Sequence, residues 1–215
     1  MAQTHAKGPE KNPLIQHRLE VVSKKIRATI QFQAPEATNL DWAPEVVTRV
    51  DLRPPPASKV FGYELAQLTW GYGKWFWQGV HGNLQFRLTV QRVDDLEESL
   101  IAPTVIEKSM HERVLRSNKQ TREGSHMNKV YFVEAPEVYV VNDLRWLRFR
   151  FRKEADPCSD WLAVTPLDEN HQVEVKMNFI ANRGNLYQSD WEEQARALAE
   201  SILKTIRVEI RPVAP

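Results

Sequence analysis

The segment from Trp70 to Val93, WGYGKWFWQGVHGNLQFRLTVQRV, constrains the fold more than any other. Its second half alternates with a period of two, with Leu84, Phe86, Leu88 and Val90 on one side of an extended chain and Gln85, Arg87, Thr89 and Gln91 on the other. That period gathers no apolar stripe on a helix, and the aromatic and β-branched residues favour a half-buried strand. Upstream, Trp75 and Trp77 share one face and Phe76 takes the other, the pattern of a strand covered on both sides. Gly79-Val80-His81-Gly82-Asn83 supplies turn residues between the two runs, so the segment reads as a β-hairpin with an aromatic-rich first strand.

Further strands follow from the same alternation. In Leu144 to Phe151, Leu147, Phe149 and Phe151 face one way and Arg148, Arg150 and Arg152 the other; in Gln172 to Phe179, Val173, Val175, Met177 and Phe179 alternate with polar residues. Shorter runs at Val130–Val133, Val138–Val141 and Trp161–Thr165 complete this half, with a bend expected at Glu134–Glu137. Leu14, Ile15, Leu19, Val22 and Ile26 have helical spacing, so a short helix is expected before a strand near Ile26 to Phe32. Helical character also marks Asp94 to Gln120, where Thr104 and Glu107 form a capping box. Trp191, Ala195, Leu198, Ile202 and Ile206 recur at steps of three and four, which places an amphipathic helix after Ser189, followed by a short extended tail from Arg207 to Pro212.

These elements imply an α+β fold: an antiparallel sheet flanked by helices in an α/β/α sandwich-like arrangement, as a single domain over residues 14–215. Residues 1–13 form a flexible N-terminal arm, residues 34–59 a proline-rich insertion with an edge strand near Val46 to Leu52, and residues 117–128 a mobile loop. At 215 residues the chain builds an ordinary core without metal or disulfide staples. A hydrophobic fraction of 42% and a charged fraction of 27% exclude wholesale disorder. Lys and Arg number 29 against 28 Asp and Glu, so no overall basic charge marks a nucleic-acid binder. The one cysteine, Cys158, cannot form an internal disulfide. The N-terminal residues lack the apolar core of a signal peptide and no run is long enough to span a membrane, so a cytoplasmic location is expected, with the periplasm as the alternative if a signal peptide has been removed.

Two groups of residues are candidates for binding. Arg148, Arg150 and Arg152 set guanidinium groups about 7 Å apart along one strand face, joined by Arg87 on the hairpin, a pattern that suits an acidic protein surface or a phosphate backbone. The plainer alternative is a solvated sheet face whose arginines pair with a neighbouring strand, with Glu174 as one partner. Trp70, Tyr72, Trp75 and Trp77 together suit a protein interface or, stacked on sugar rings, a carbohydrate ligand; buried, they are core. No catalytic motif, glycine-rich phosphate loop or metal-ligand spacing occurs, so no catalytic residue, cofactor or metal is implied.

The strand Val173 to Phe179 and the closing helix pattern Ala199-Glu200-Ser201-Ile202-Leu203-Lys204-Thr205-Ile206 resemble the Mog1/PsbP-like α/β domains, by order of elements over Ile26 to Val208. The resemblance implies a bacterial, secretion-associated, non-enzymatic binder. The expectation is therefore a non-catalytic protein-binding module of accessory, adaptor or immunity type, with a carbohydrate or cell-envelope ligand binder as the alternative and nucleic-acid binding third.

Overall fold

A computed structural model describes residues 12–38, 44–52, 62–75, 79–92, 130–153, 159–168, 170–181 and 190–213. Within them the chain forms two sheets and one helix, in place of the expected helix-flanked α/β/α sandwich. The smaller sheet contains β1 (Leu14–Val22), β2 (Ile26–Pro35), β4 (Arg49–Asp51) and β11 (Arg207–Pro212) in the order β11-β2-β1-β4. The larger contains β3 (Glu45–Val46), β5 (Gly62–Trp75), β6 (Gly79–Arg92), β7 (Val130–Val141), β8 (Leu144–Lys153), β9 (Ser159–Asp168) and β10 (His171–Ala181) in the order β3-β5-β6-β10-β9-β8-β7. The helix α1 covers Asp190–Thr205.

The overturned fold class rests chiefly on β1. Its helical spacing is real, but antiparallel pairing along its whole length with β2, from Leu14 opposite Pro35 to Val22 opposite Arg27, decides the conformation. Tertiary pairing outweighs the small propensity differences among such residues. A tight turn sets the register, closed by the Ser23 N–H donating to Ile26 O at 2.8 Å, while Ser23 Oγ accepts the Ile26 N–H at 3.1 Å. The helix expected over Asp94 to Gln120 lies outside the described residues, as do residues 1–11, the loop 117–128, Cys158 and parts of the proline-rich segment. The expected strand near Val46 to Leu52 is divided between β3 and β4. The expected bend at Glu134–Glu137 is instead a pair of register irregularities inside the continuous strand β7.

Alternation places the core. Leu84, Phe86, Leu88 and Val90 of β6 align with Trp70, Leu68, Ala66 and Tyr63 of β5 and with Phe179, Met177, Val175 and Val173 of β10, giving the large sheet an apolar inner face. The smaller sheet meets it with Leu19, Val21, Ala28, Ile30, Phe32 and Ala34, and Phe32 packs on Phe86 with ring centroids 4.9 Å apart. Trp70 fastens the two sheets, because its buried indole N–H donates to Pro35 O at 3.2 Å and Glu36 O at 3.1 Å.

The helix lies on the same inner face with Trp191, Ala195, Leu198, Ala199, Ile202 and Leu203 buried. Its first turn fits a notch: a Cβ built on Gly82 would lie 2.4–2.6 Å from the Trp191 ring, so only glycine lets the indole come down on β6. The sequence reading places Gly82 in a turn; it sits inside β6, opposite Tyr72 of β5. The C-terminal end of the helix is tied to both sheets. The Gln33 N–H of β2 donates to Thr205 Oγ1 at 2.9 Å, and the Asn142 amide, from the turn joining β7 and β8, donates to Lys204 O at 3.2 Å and Ile206 O at 2.8 Å.

Asn142 and Asp143 have φ of 50° and 64°, the left-handed pair of a two-residue type I′ hairpin turn, which asparagine and aspartate tolerate. Asn142→Asp keeps the turn but replaces the donor with a carboxylate at the negative end of the helix. It is expected to cost about 1–2 kcal/mol in chemical denaturation. Asn142→Gly, which loses the donor without adding charge, is expected to cost less.

His17 stacks on Phe32, with centroids 4.7 Å apart and planes 20° from parallel, and its burial holds the imidazole below the ordinary value of 6.5. The unfolded chain therefore binds this proton more readily than the folded one, and stability falls as pH drops through about 6.5. A lower denaturation midpoint at pH 5.5 than at pH 7.5 is expected, with the difference reduced in His17→Gln.

Candidate functional site

The register carries the inner face outward from the helix. Val175 of β10 lies opposite Ala163 of β9, which lies opposite Arg148 of β8, which lies opposite Glu137 of β7; one step along, Trp161 faces Arg150. Arg148 and Arg150 therefore share the face that holds α1, and the helix supplies a carboxylate to it. Arg148 Nη1 donates to Glu200 Oε1 of α1 at 2.6 Å, and its Nε donates to Glu137 Oε1 at 3.0 Å. The guanidinium lies 4.5 Å from the Tyr139 ring centroid and 5.7 Å from that of Trp161. Burial alone would lower the Arg148 pKa, but its hydrogen bonds and charge interactions with Glu137 and Glu200 raise it above the ordinary arginine value. Burial and the Glu200 carboxylate likewise hold the Tyr139 phenol above its ordinary value, against the pull of Arg148, so it stays a neutral hydroxyl near neutral pH.

The arginine row is thus divided. Arg148 is matched by two carboxylates, and Arg150, half-buried in register with Trp161, is engaged as well. Arg152 lies in register with Ser159, and its side chain is outside the described residues. Arg87 is on the opposite face, where it reaches Glu64 Oε1 and Gln67 Oε1, each at 3.2 Å. Glu174, the expected partner of the row, also lies on that opposite face, in register with Thr89. Of the aromatic group, Trp70 and Tyr72 are buried, the latter with its ring 6.3 Å from Trp191, and neither offers surface to a ligand. Trp75 ends β5 opposite Gly79; its side chain and all of Trp77 are outside the described residues.

What sequence reasoning did not single out is the outer edge of the large sheet. Strand β7 ends the strand order, and no described strand pairs with its outer side. The two-residue turn makes Val141 and Leu144 a hydrogen-bonded pair, so Val140 opposite Arg145 and Val138 opposite Leu147 are non-hydrogen-bonded pairs. The N–H and C=O groups of Val138 and Val140 therefore point away from β8. Their side chains, on the face opposite α1, are 40% and 61% exposed. The local signal was a Val-Tyr-Val-Val run before Asn-Asp, but edge position is a property of the whole sheet.

Other edge strands are short or carry charges. β3 has two residues and β4 three, while β11 ends in Pro212 and carries Arg207, Glu209 and Arg211. The outward positions of β1 beyond its pairing with β4 carry the exposed Gln16 and Arg18 and, at the start of the strand, the exposed Leu14. Such devices suppress edge-to-edge pairing.

Among the described residues no group of three or more His, Cys, Asp or Glu side chains could hold a metal, and no helix is long and apolar enough to cross a membrane. No family model matches the sequence, and no curated protein is similar to it.

Proposed function

We propose that this chain is a non-catalytic protein-binding module, of accessory, adaptor or immunity type, that recognises its partner by strand addition along the outer edge of β7. The observation that carries the reading is the coincidence, at Val138 and Val140, of outward backbone hydrogen-bonding groups with exposed apolar side chains. In this mode main-chain bonds supply affinity and alternate side chains supply specificity. The Arg148 cluster supports the reading in a positioning role: by bonding Glu137 of β7 and Glu200 of α1 it holds the edge at a fixed place relative to the helix. The resemblance of the closing strand and helix to Mog1/PsbP-like binders agrees with it.

The test is affinity capture from the source organism with wild-type and Val140→Lys baits, identified by mass spectrometry. A lysine at this exposed position leaves the core intact, so circular dichroism should be unchanged while the specific partner is lost. Equal capture by both baits would refute the reading.

A further inference from the structure

We infer that the outward face of the smaller sheet binds the phosphate backbones of duplex DNA. This surface is separate from the β7 edge, and the inference stands or falls independently of the strand-addition reading.

Register brings together cations from both ends of the chain. On the face turned away from the core, Arg207 of β11, Gln31 of β2 and Arg18 of β1 form one row across the strands. Further along the strands Arg211 lies directly opposite Arg27, with Lys24 and Lys25 in the turn beyond. Between these two cationic rows runs a row of Glu209, Thr29, Glu20 and, from β4, Arg49. Counting Asp51, opposite Val22, the face and its turn hold seven cations against three carboxylates, on a chain whose formal charge is only +1. All seven cationic residues are exposed, so no other part of the chain covers them.

Local pairing does not absorb the excess. Glu20 already takes Arg27 at 3.3 Å and Arg49 at 3.5 Å. Glu209 reaches Arg211 only at 3.7 Å, between side chains 56% and 79% exposed, a contact worth little in water. Among the described residues no side-chain hydrogen bond or ion pair engages Arg18, Arg207 or Lys24. Setting Arg27 opposite Arg211 is itself unfavourable, because like charges meet at paired positions. A local rule broken in this way marks a functional surface.

The composition of the face selects the partner. Its charge calls for an anion, and arginine at all five cationic strand positions suits the bidentate geometry of phosphate. A protein partner would need apolar anchors, but the outward apolar positions are Leu14 and Pro35 at one corner and the buried Val22. Interfaces with nucleic acid are instead polar and basic. No aromatic residue occupies an outward position in the four strands, so the bases of a single strand have nothing to stack on. The two cationic rows stand about 13 Å apart by strand geometry. Phosphates across a B-form minor groove, about 6 Å wide between backbone surfaces, lie at roughly this separation, so each row takes one backbone. The grooves of an A-form duplex are narrower or wider than this. A bilayer is anionic throughout and would set Glu20 and Glu209 against its headgroups. Contacts to backbone alone carry no sequence preference, and a dissociation constant on the order of 10⁻⁴–10⁻⁶ M at physiological salt is expected.

Fluorescence anisotropy of a short, labelled, mixed-sequence DNA duplex titrated with the full chain tests this. With Arg18, Arg27, Arg207 and Arg211 each on a phosphate, affinity should fall on the order of 10²-fold between about 50 and 200 mM salt. Replacing either pair by glutamine, Arg18→Gln with Arg207→Gln or Arg27→Gln with Arg211→Gln, should weaken binding at the lower salt at least about tenfold and roughly halve the salt slope. Glu209→Gln should tighten binding. Arg87→Gln, on the outward face of the other sheet, should leave it unchanged. Thermal denaturation checks the fold of each variant; if a double variant unfolds, Arg18→Gln and Glu209→Gln decide.

Absence of binding at the lower salt, a flat salt response, or an equal loss in Arg87→Gln would overturn the inference. Duplex RNA, single-stranded DNA, polyglutamate or phosphatidylserine vesicles bound as tightly as duplex DNA would overturn it too, since each would show that the face meets a different or unselected anion.

Discussion

Gly82→Ala is expected to destabilise the protein by about 3 kcal/mol, the upper range for forcing a methyl group into a packed core. At this chain length that corresponds to a fall in melting temperature of roughly 6–12 °C. The added Cβ would meet the Trp191 ring at 2.4–2.6 Å, too close for any real contact, and the ring is held between β6 and the rest of the helix. Relief requires the first turn of α1 to lift away from the sheet. Trp191→Ala alone is expected to cost about 3–5 kcal/mol through loss of the buried indole. In the double variant the clash disappears, so the two costs should fall well short of additive. Additive costs in a double-mutant cycle followed by thermal denaturation would show that Gly82 serves β6 in some way other than admitting Trp191.

Arg148→Met is expected to cost about 1–3 kcal/mol, chiefly because it leaves the Glu200 carboxylate, 31% exposed, without its guanidinium, whereas Glu137, 55% exposed, returns to water. The side chain is 19% exposed, which places the pair between a surface bridge and a fully buried one. Arg148→Lys should recover only part of the loss, since a single ammonium cannot serve Glu137 and Glu200 while lying flat against Tyr139 and Trp161. If Arg148→Met is the more damaging because of stranded charge, adding Glu200→Gln should return some stability. Failure of that rescue in urea denaturation would assign the loss to lost packing instead.

Much of this architecture is legible in one sequence, and the remainder fails for definable reasons. The alternation in β6, β8 and β10 and the three-four spacing from Trp191 to Ile206 fix local conformation, since each element must bury one side. Alternation does not reveal which sheet a strand joins, so the division into two sheets was missed. In β1 the spacing of Leu14, Ile15, Leu19 and Val22 mixes even and odd positions and follows the helical period alone, and pairing with β2 overrode it. The arginines of β8 were legible as a row on one face; their partners were not. Glu200 comes from a helix 52 residues away, and Glu137 is opposite Arg148 only because the β7–β8 hairpin turns at Asn142. Gly82 did carry a signal: an isolated glycine within a strand pattern marks a close approach by another group.

The position of β11 bears on how the molecule is made. β2 has β11 as its outer neighbour, with Val208 opposite Ile30, and β11 is synthesised after every other strand of the two sheets. The inner face of the large sheet likewise waits for Trp191 to Ile206 to cover it. A nascent chain therefore carries an uncovered apolar surface from the synthesis of β2 until that of α1 and β11, and the two sheets cannot finish folding before then. Nascent chains stalled before α1 should accordingly be the species that ribosome-associated chaperones hold longest.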